Sequence, residues 1–312
     1  MQLVNGRDGR SVGYRYVLIS PCRNEAALMR HTLESVIAQS LPPTEWIIVD
    51  DGSTDATADI LREYAARHPW IRVVTRPDRG KRSVGPGVVD AFYAGYAAVT
   101  CTDYAFLCKL DLDLRLPPRY FEILVSRMSA DPLLATCSGK SYVEEGGRLV
   151  SERHADDTSL GMTKFYRREC FEQIGGFVRE VMWDGIDCHQ CRMRGWIACS
   201  WDEPELRFIH LRPMGSSQQS IYAGRMRHGY GQYFMGTGFL YMAAGALRRV
   251  NQKPYVLGSL ATLWGWIASA AQRRPRYADP EFRRFLRRYQ RRALLVGKRR
   301  ATAELAGVNS LA

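Results

Sequence analysis

The sequence predicts an α/β fold, with a sheet flanked by helices and an α-helical C-terminal extension. Three observations predict it. Short apolar runs alternate with helical patterns along roughly the first two thirds of the 312 residues, the arrangement that builds a parallel sheet covered on both faces. Aspartates stand at the ends of those runs, and open α/β sheets bind ligands outside the carboxyl ends of their strands. Beyond about residue 213 the strand-like runs stop and the composition turns basic and helical. The length suffices for one large core, read as an α/β domain over residues 10–215 and a helical, basic extension over 216–312.

Tyr16 to Ser20 (Y-V-L-I-S) reads as a buried strand, followed by the loop P-C-R-N-E, Pro21 to Glu25. A helix is expected from about Glu25 to Ala38, with Leu28, Leu33, Val36 and Ile37 as its apolar positions. W-I-I-V-D-D-G-S-T-D, Trp46 to Asp55, is a second strand ending in two aspartates and a glycine turn. Asp50 is read as bracing that turn, and Ser53 or Thr54 as capping the next helix, about Thr57 to Arg67. A third strand, Ile71 to Thr75, precedes R-P-D-R-G-K-R, Arg76 to Arg82. A helix over about 87–99 leads to the apolar run Tyr104 to Leu107 and then to C-K-L-D-L-D, Cys108 to Asp113. Residues i and i+2 of a strand point the same way, so Asp111 and Asp113 can reach one ion. Hard oxygen ligands suit Mg or Mn and the diphosphate such ions carry. Four acids at one sheet edge need a cation or hydrogen-bond donors to relieve their repulsion.

The order and spacing of these motifs resemble a family 2, inverting, GT-A-type glycosyltransferase. The resemblance runs from Tyr16 to about Arg212 and rests on S-P-C-R-N-E, V-D-D-G-S-T-D-A-T, the R-G-K near position 80, K-L-D-L-D and P-P-R-Y-F, with G-G-F (Gly175 to Phe177) and R-G-W (Arg194 to Trp196) downstream. It implies a GT-A nucleotide-sugar-binding, Rossmann-like mixed sheet and a divalent metal cofactor, Mn or Mg. It also implies roles. Pro21, Arg23 and Glu25 would border the nucleoside. Asp51 would bond the base, usually uracil, and Lys81 would lie near the base or diphosphate. Asp111 would face the ribose or a metal-bound water, Asp113 would ligate the metal, and His210 would complete the metal site.

An inverting transfer needs a carboxylate to take the acceptor hydroxyl's proton. The resemblance places it in a Glu-Asp pair eleven residues before a helical glycine. Counting back from Gly195 in M-W-D-G-I-D-C-H-Q-C-R-M-R-G-W lands on Asp184, with Trp183 where the glutamate is expected. Asp184 is the preferred base. Asp187, one turn on, is the second candidate, and its other reading is a first-turn acid complementing the helix dipole. Trp183 reads as an apolar wall, a stacking platform for a sugar, or core. The Q-x-x-R-W segment of related synthases is missing, but Arg225, Arg227 and His228 in G-R-M-R-H-G-Y-G-Q-Y can clamp a diphosphate, since guanidinium matches phosphate oxygens.

The 8 cysteines are scattered, and the first residues carry charge and glycine rather than an apolar stretch. No secretory leader is therefore expected, and the thiols are expected to be reduced. Cys188-x-x-Cys191 has no second pair at finger spacing, which disfavours zinc. Between residues 273 and 300, twelve basic residues against Asp279 and Glu281 leave +10 of the chain's formal +12. Phe282, Phe285, Leu286, Tyr289 and Ala293 recur there at helical spacing, which reads as a membrane-surface helix. Two uncharged apolar stretches before it, Tyr230 to Leu247 and Tyr255 to Gln272, suit interfacial helices better than spans. The expected setting is thus the cytoplasmic face of a membrane, peripheral or monotopic. The expected partners are a nucleotide-sugar donor, probed first as a UDP-sugar, and a glycan or lipid-linked acceptor. Nucleic acid is not an expected partner, because the charge avoids the core and no motif with interleaved aromatics is present. A nucleotidyltransferase also uses paired acids, but the Gly-rich N-terminal phosphate loop is missing.

Overall fold

The computed structural model describes residues 14–80, 85–212, 220–251 and 255–305. The elements run β1 (Tyr16–Cys22), α1 (Met29–Ile37), β2 (Glu45–Asp50), α2 (Thr57–Arg67), β3 (Ile71–Thr75), α3 (Pro86–Ala97), β4 (Phe106–Leu110), β5 (Leu114–Arg115), α4 (Tyr120–Ala130), β6 (Leu134–Ser138), β7 (Lys140–Glu145), β8 (Arg148–Ser151) and β9 (Thr163–Arg167). They continue with α5 (Arg168–Gln173), α6 (Trp183–Met193), β10 (Ile197–Ser200), β11 (Arg207–His210), α7 (Ile221–Met235), α8 (Phe239–Arg248), α9 (Tyr255–Ala271), α10 (Pro280–Val296) and α11 (Lys298–Leu305).

A seven-stranded sheet has the order β10-β6-β9-β4-β1-β2-β3, and a four-stranded sheet the order β5-β11-β7-β8. β1 pairs in parallel with β2 and β4. Strand β9 runs antiparallel between β4 and β6, so the sheet is mixed and not all parallel. Every residue of β2 is buried, as expected of a strand covered on both faces, where an unbroken apolar run replaces alternation. On one face, Leu33 and Val36 of α1 join Leu18, Trp46 and Ile48. On the other, Val89 and Phe92 of α3 pack with Val17, Ile19 and Leu107.

Helix α2 is not capped by Ser53 or Thr54. Its N-cap residue is Ala56, and the Asp55 carboxylate instead accepts the Thr57 amide at 3.0 Å. Ser53 and Thr54 tie to Asn24, whose amide donates to Ser53 Oγ at 2.9 Å and whose Oδ1 accepts the Thr54 amide at 2.8 Å. This cross-link joins the loops after β1 and β2. The Asp50 Oδ1 accepts the Ser53 amide at 2.9 Å and braces the second loop.

The basic tail differs from its sequence reading. Phe282, Leu286, Tyr289 and Ala293 of α10 are buried inside the protein. Phe282 and Leu286 cluster with Ile186 of α6 and Phe234 and Met235 of α7. The apolar stripe was legible, but the chain's own helices cover it. What stays outside is a row of arginines, including Arg284, Arg287, Arg288 and Arg291, along a surface groove. Exposed apolar side chains lie on α8 and α9, where Leu240 is 76% and Trp264 59% exposed, and at the end of α10, where Leu295 is 79% exposed. Helices α7 and α9 cross with their backbones nearly touching: a Cβ on Gly229 would lie 2.0 Å from the Thr262 carbonyl oxygen. Among the described residues, no helix is long and apolar enough to cross a membrane.

Candidate active site

The carboxyl ends of β1, β2 and β4, the loop before β9, the start of α6 and the C-terminal helices enclose a cavity of about 570 Å³. Of the residues singled out in the sequence, Pro21, Arg23, Glu25, Asp51, Asp111, Asp113, Trp183, Asp184, His210, Arg227 and His228 line it. Asp187 and Arg225 do not line it, and Lys81 lies outside the described residues.

At the β1–β2 end, charged side chains are held by partners. Arg76 and Arg79 cage the buried Asp51 carboxylate, Arg76 at 2.9 Å. Arg23 donates to the Asp51 carbonyl oxygen at 2.6 Å and pairs with Asp78. Buried Glu25 takes both prongs of Arg212, at 2.5 and 3.2 Å. A bidentate charged pair of this kind fixes geometry as well as charge.

At the β4 end, the Lys109 ammonium bonds Asp111 and the Gly161 carbonyl oxygen. Burial pushes Asp111 upward, with the Asp113 charge adding to it and Lys109 opposing. Burial also opposes ionisation of Asp113, but His210, Arg212 and Lys109 outweigh it and hold this carboxyl below its ordinary range. Two neighbouring carboxyls pushed in opposite directions is a pattern common at functional sites. Asp113 Oδ1 is buried with no hydrogen-bond partner among the described residues. Its Oδ2 lies 3.8 Å from His210 Nε2, while His210 Nδ1 is 3.0 Å from Glu152. Burial disfavours a charged His210, yet the two carboxylates prevail and raise it to about 9.

Asp184 sits in the first turn of α6. The loop before β9 leaves it room only because residue 161 is glycine: a Cβ there would lie 2.9 Å from Asp184 Oδ2. Trp183 is buried against Phe177, ring centroids 4.5 Å apart. Its ring also carries the Lys109 and Lys164 ammoniums at 5.4 and 5.6 Å. Trp183 is thus a wall that positions two buried lysines through cation–π contact. Asp187 points elsewhere. It pairs with fully buried Lys164 at 2.6 Å and accepts from the Tyr166 hydroxyl. Burial pushes it up to about 6. Cys188 and Cys191 are buried thiols of the same helix.

The family model described as "Glycosyl transferase family 2" matches residues 17–183. The chain belongs to glycosyl transferase family 2. Among curated family relatives, a poly-beta-1,6-N-acetyl-D-glucosamine synthase of Staphylococcus epidermidis is 36% identical over 83 residues, 26% of this chain and 19% of that protein. The putative glycosyltransferase EpsH of Bacillus subtilis (strain 168) is 26% identical over 163 residues, 52% of this chain and 44% of that protein. The chain spans less than half the length of either relative. Among solved structures, S. aureus TarS 1-349 in complex with UDP has a TM-score of 0.53 at 14% identity, covering 94% of this chain and 89% of that one. The mannosyltransferase PcManGT from Pyrobaculum calidifontis, in complex with GDP-Man and Mn2+, has a TM-score of 0.51 at 21% identity, covering 94% and 85%. These structures share the fold: a mixed sheet flanked by helices of the GT-A type.

Sequence reasoning missed several cavity residues. Lys109 was findable, because it stands at i−2 to Asp111 and shares its side of the strand. Arg212, Arg249 and Lys298 also line the cavity but come from distant segments with no local signal.

Proposed function

We propose that this protein transfers a sugar, with inversion, from a UDP-sugar to a hydroxyl of a glycan or lipid-linked acceptor, in cell-envelope or exopolysaccharide synthesis. The single observation that carries this reading is that Asp184 lines one cavity with Asp51, Asp111 and Asp113. TarS bound to UDP and the N-acetylglucosamine polymer synthase relative support the donor class.

The residues fit a divalent metal. The free buried Asp113 Oδ1 is a hard oxygen donor, and the bond of His210 to Glu152 is the outer contact that orients a ligating imidazole. No three His, Cys, Asp or Glu side chains among the described residues could hold an ion alone, so donor oxygens and water would have to supply further ligands. Asp113 and His210 would hold the ion, with Asp111 facing it through water. Such an ion would supply charge neutralisation for the departing diphosphate.

The remaining roles belong to the chain itself. Pro21, Arg23 and Glu25 with Arg212 border the nucleoside, and Asp51 bonds the base. The resemblance assigns Lys81, outside the described residues, to the base or diphosphate. Arg227 faces the diphosphate from α7, and Arg225 supports it from the same helix. Asp184 takes the proton from the acceptor hydroxyl as that oxygen attacks the anomeric carbon. The test is nucleotide release from UDP-, GDP-, dTDP- and CMP-sugars, against NTPs, with Mn or Mg. Release from a UDP-sugar is expected, and activity on NTPs alone would replace transfer with nucleotidyl chemistry.

Residues 10–215 form the catalytic unit in this reading, and 216–312 a membrane-associating extension on the cytoplasmic face. The exposed apolar side chains of α8 and α9 and the arginine row of α10 support attachment. Apolar insertion and charge attraction, about 1 kcal/mol per basic residue near an anionic leaflet, add together. Co-sedimentation with anionic vesicles is expected, only partly reversed by high salt. Equal binding to neutral vesicles, or none to either, removes the electrostatic part.

A further inference from the structure

The wall of the cavity formed by the C-terminal helices carries cations that the donor reading does not use. Arg249, at the end of α8, and Lys298, the first residue of α11, both line the cavity. Beside them on α7 stand Arg227 and His228. Arg249 Nη1 lies 3.5 Å from His228 Nε2. Burial, then the charges of Arg249, Arg225 and Arg227, push His228 down to about 3, so a neutral imidazole accepts from Arg249 and aims it.

Among the described residues, no acid acts on Arg227 or Arg249. Arg227 Nη1 is buried with no hydrogen-bond partner among the described residues. The acid acting on Lys298 is Asp157, which is already bonded by the Tyr289 hydroxyl at 2.8 Å and faces Arg192 at 3.8 Å. Arg227 and Arg249 are half-buried and Lys298 stands exposed beside them, and half-buried cations are costly unless an anion joins them.

The cluster also lies close to the base. A Cβ on Gly231 of α7 would meet the Met182 side chain at 2.4 Å, so α7 crosses the chain just before Asp184. Arg227 and His228 stand about one helical turn back along α7.

We propose that Arg249 and Lys298, with His228 orienting Arg249, form a second oxyanion site that holds a phosphoryl group on the acceptor. The inference rests on the transferase reading and adds the acceptor's chemical class. The site places the acceptor's charged group on the helical wall and its hydroxyl toward Asp184, while the donor diphosphate stays with Arg227 and the sheet edge. A lipid headgroup and a soluble sugar phosphate both offer this phosphoryl chemistry.

The test uses the full chain saturated with UDP and Mn, titrated with inorganic phosphate, with glycerol 3-phosphate, and with neutral phosphatidylcholine vesicles with or without a polyprenyl phosphate. Wild type is expected to bind phosphate on top of UDP. Arg249→Gln and Lys298→Gln, placed on different helices so that one misfolded variant does not decide the matter, are each expected to weaken that binding at least tenfold. Their UDP affinity should stay within twofold of wild type. Tighter binding to the polyprenyl phosphate vesicles than to glycerol 3-phosphate supports a lipid source, and the reverse supports a soluble one. No phosphate binding to the UDP-saturated protein, or variants unchanged toward phosphate, would overturn the site. So would a parallel loss of UDP affinity, which assigns the cluster to the donor. Absence of UDP binding in wild type sinks the transferase reading itself, a separate outcome.

Discussion

Asp184→Asn is expected to bind UDP as the wild type does and to lose kcat by about two to four powers of ten, the usual worth of a positioned general base. The substitution keeps the size of the side chain and removes its capacity to take a proton. Asp184 is suited to the task by place: it lines the cavity, starts a helix, and faces Gly161, which leaves its carboxylate space. Asp187→Asn is the matched control. Its carboxylate neutralises fully buried Lys164, and removing one partner of a buried pair costs about 3–5 kcal/mol. This second variant is expected to lose stability in urea unfolding while its folded fraction keeps turnover. A dead but stable Asp187→Asn beside an active Asp184→Asn would reverse the assignment.

Asp113→Ala is expected to abolish transfer while leaving the fold intact. Asp113 Oδ1 has no hydrogen-bond partner among the described residues, so its removal orphans little there. The substitution does take away a hard ligand and the carboxylate facing His210. Hard, octahedral ions depend on such carboxylates for affinity. Far-UV circular dichroism and the thermal midpoint should stay near wild type while UDP release falls to background. Retained release at the wild-type rate would place the metal elsewhere.

Much of this site was legible because its signals are local. Helix α2 and strand β3 fall where periodicity places them, while Asp111 and Asp113 line the cavity from the bend after β4 and not from within a strand. The spacing back from Gly195 found Asp184. Other features were hidden because they depend on long-range partners. The alternation of strands and helices does not state strand direction, so β9 could not be read as antiparallel. Ser53 and Thr54 look like caps, but Asn24, across the site, outcompetes the helix for them. The apolar stripe of α10 shows that Phe282 and Leu286 share a face, yet nothing in the stripe says whether lipid or Ile186 and Phe234 cover it. Arg249 and Lys298 reach the cavity only through the packing of the C-terminal helices.

The most direct test of the central claim, that the strand-end cavity holds a metal-bound nucleotide diphosphate, is calorimetric titration of UDP with and without Mn, on wild type and on Asp113→Ala. The account predicts binding to wild type that depends on Mn and is lost in Asp113→Ala. UDP affinity that is the same with and without Mn, or unchanged in Asp113→Ala, would contradict it.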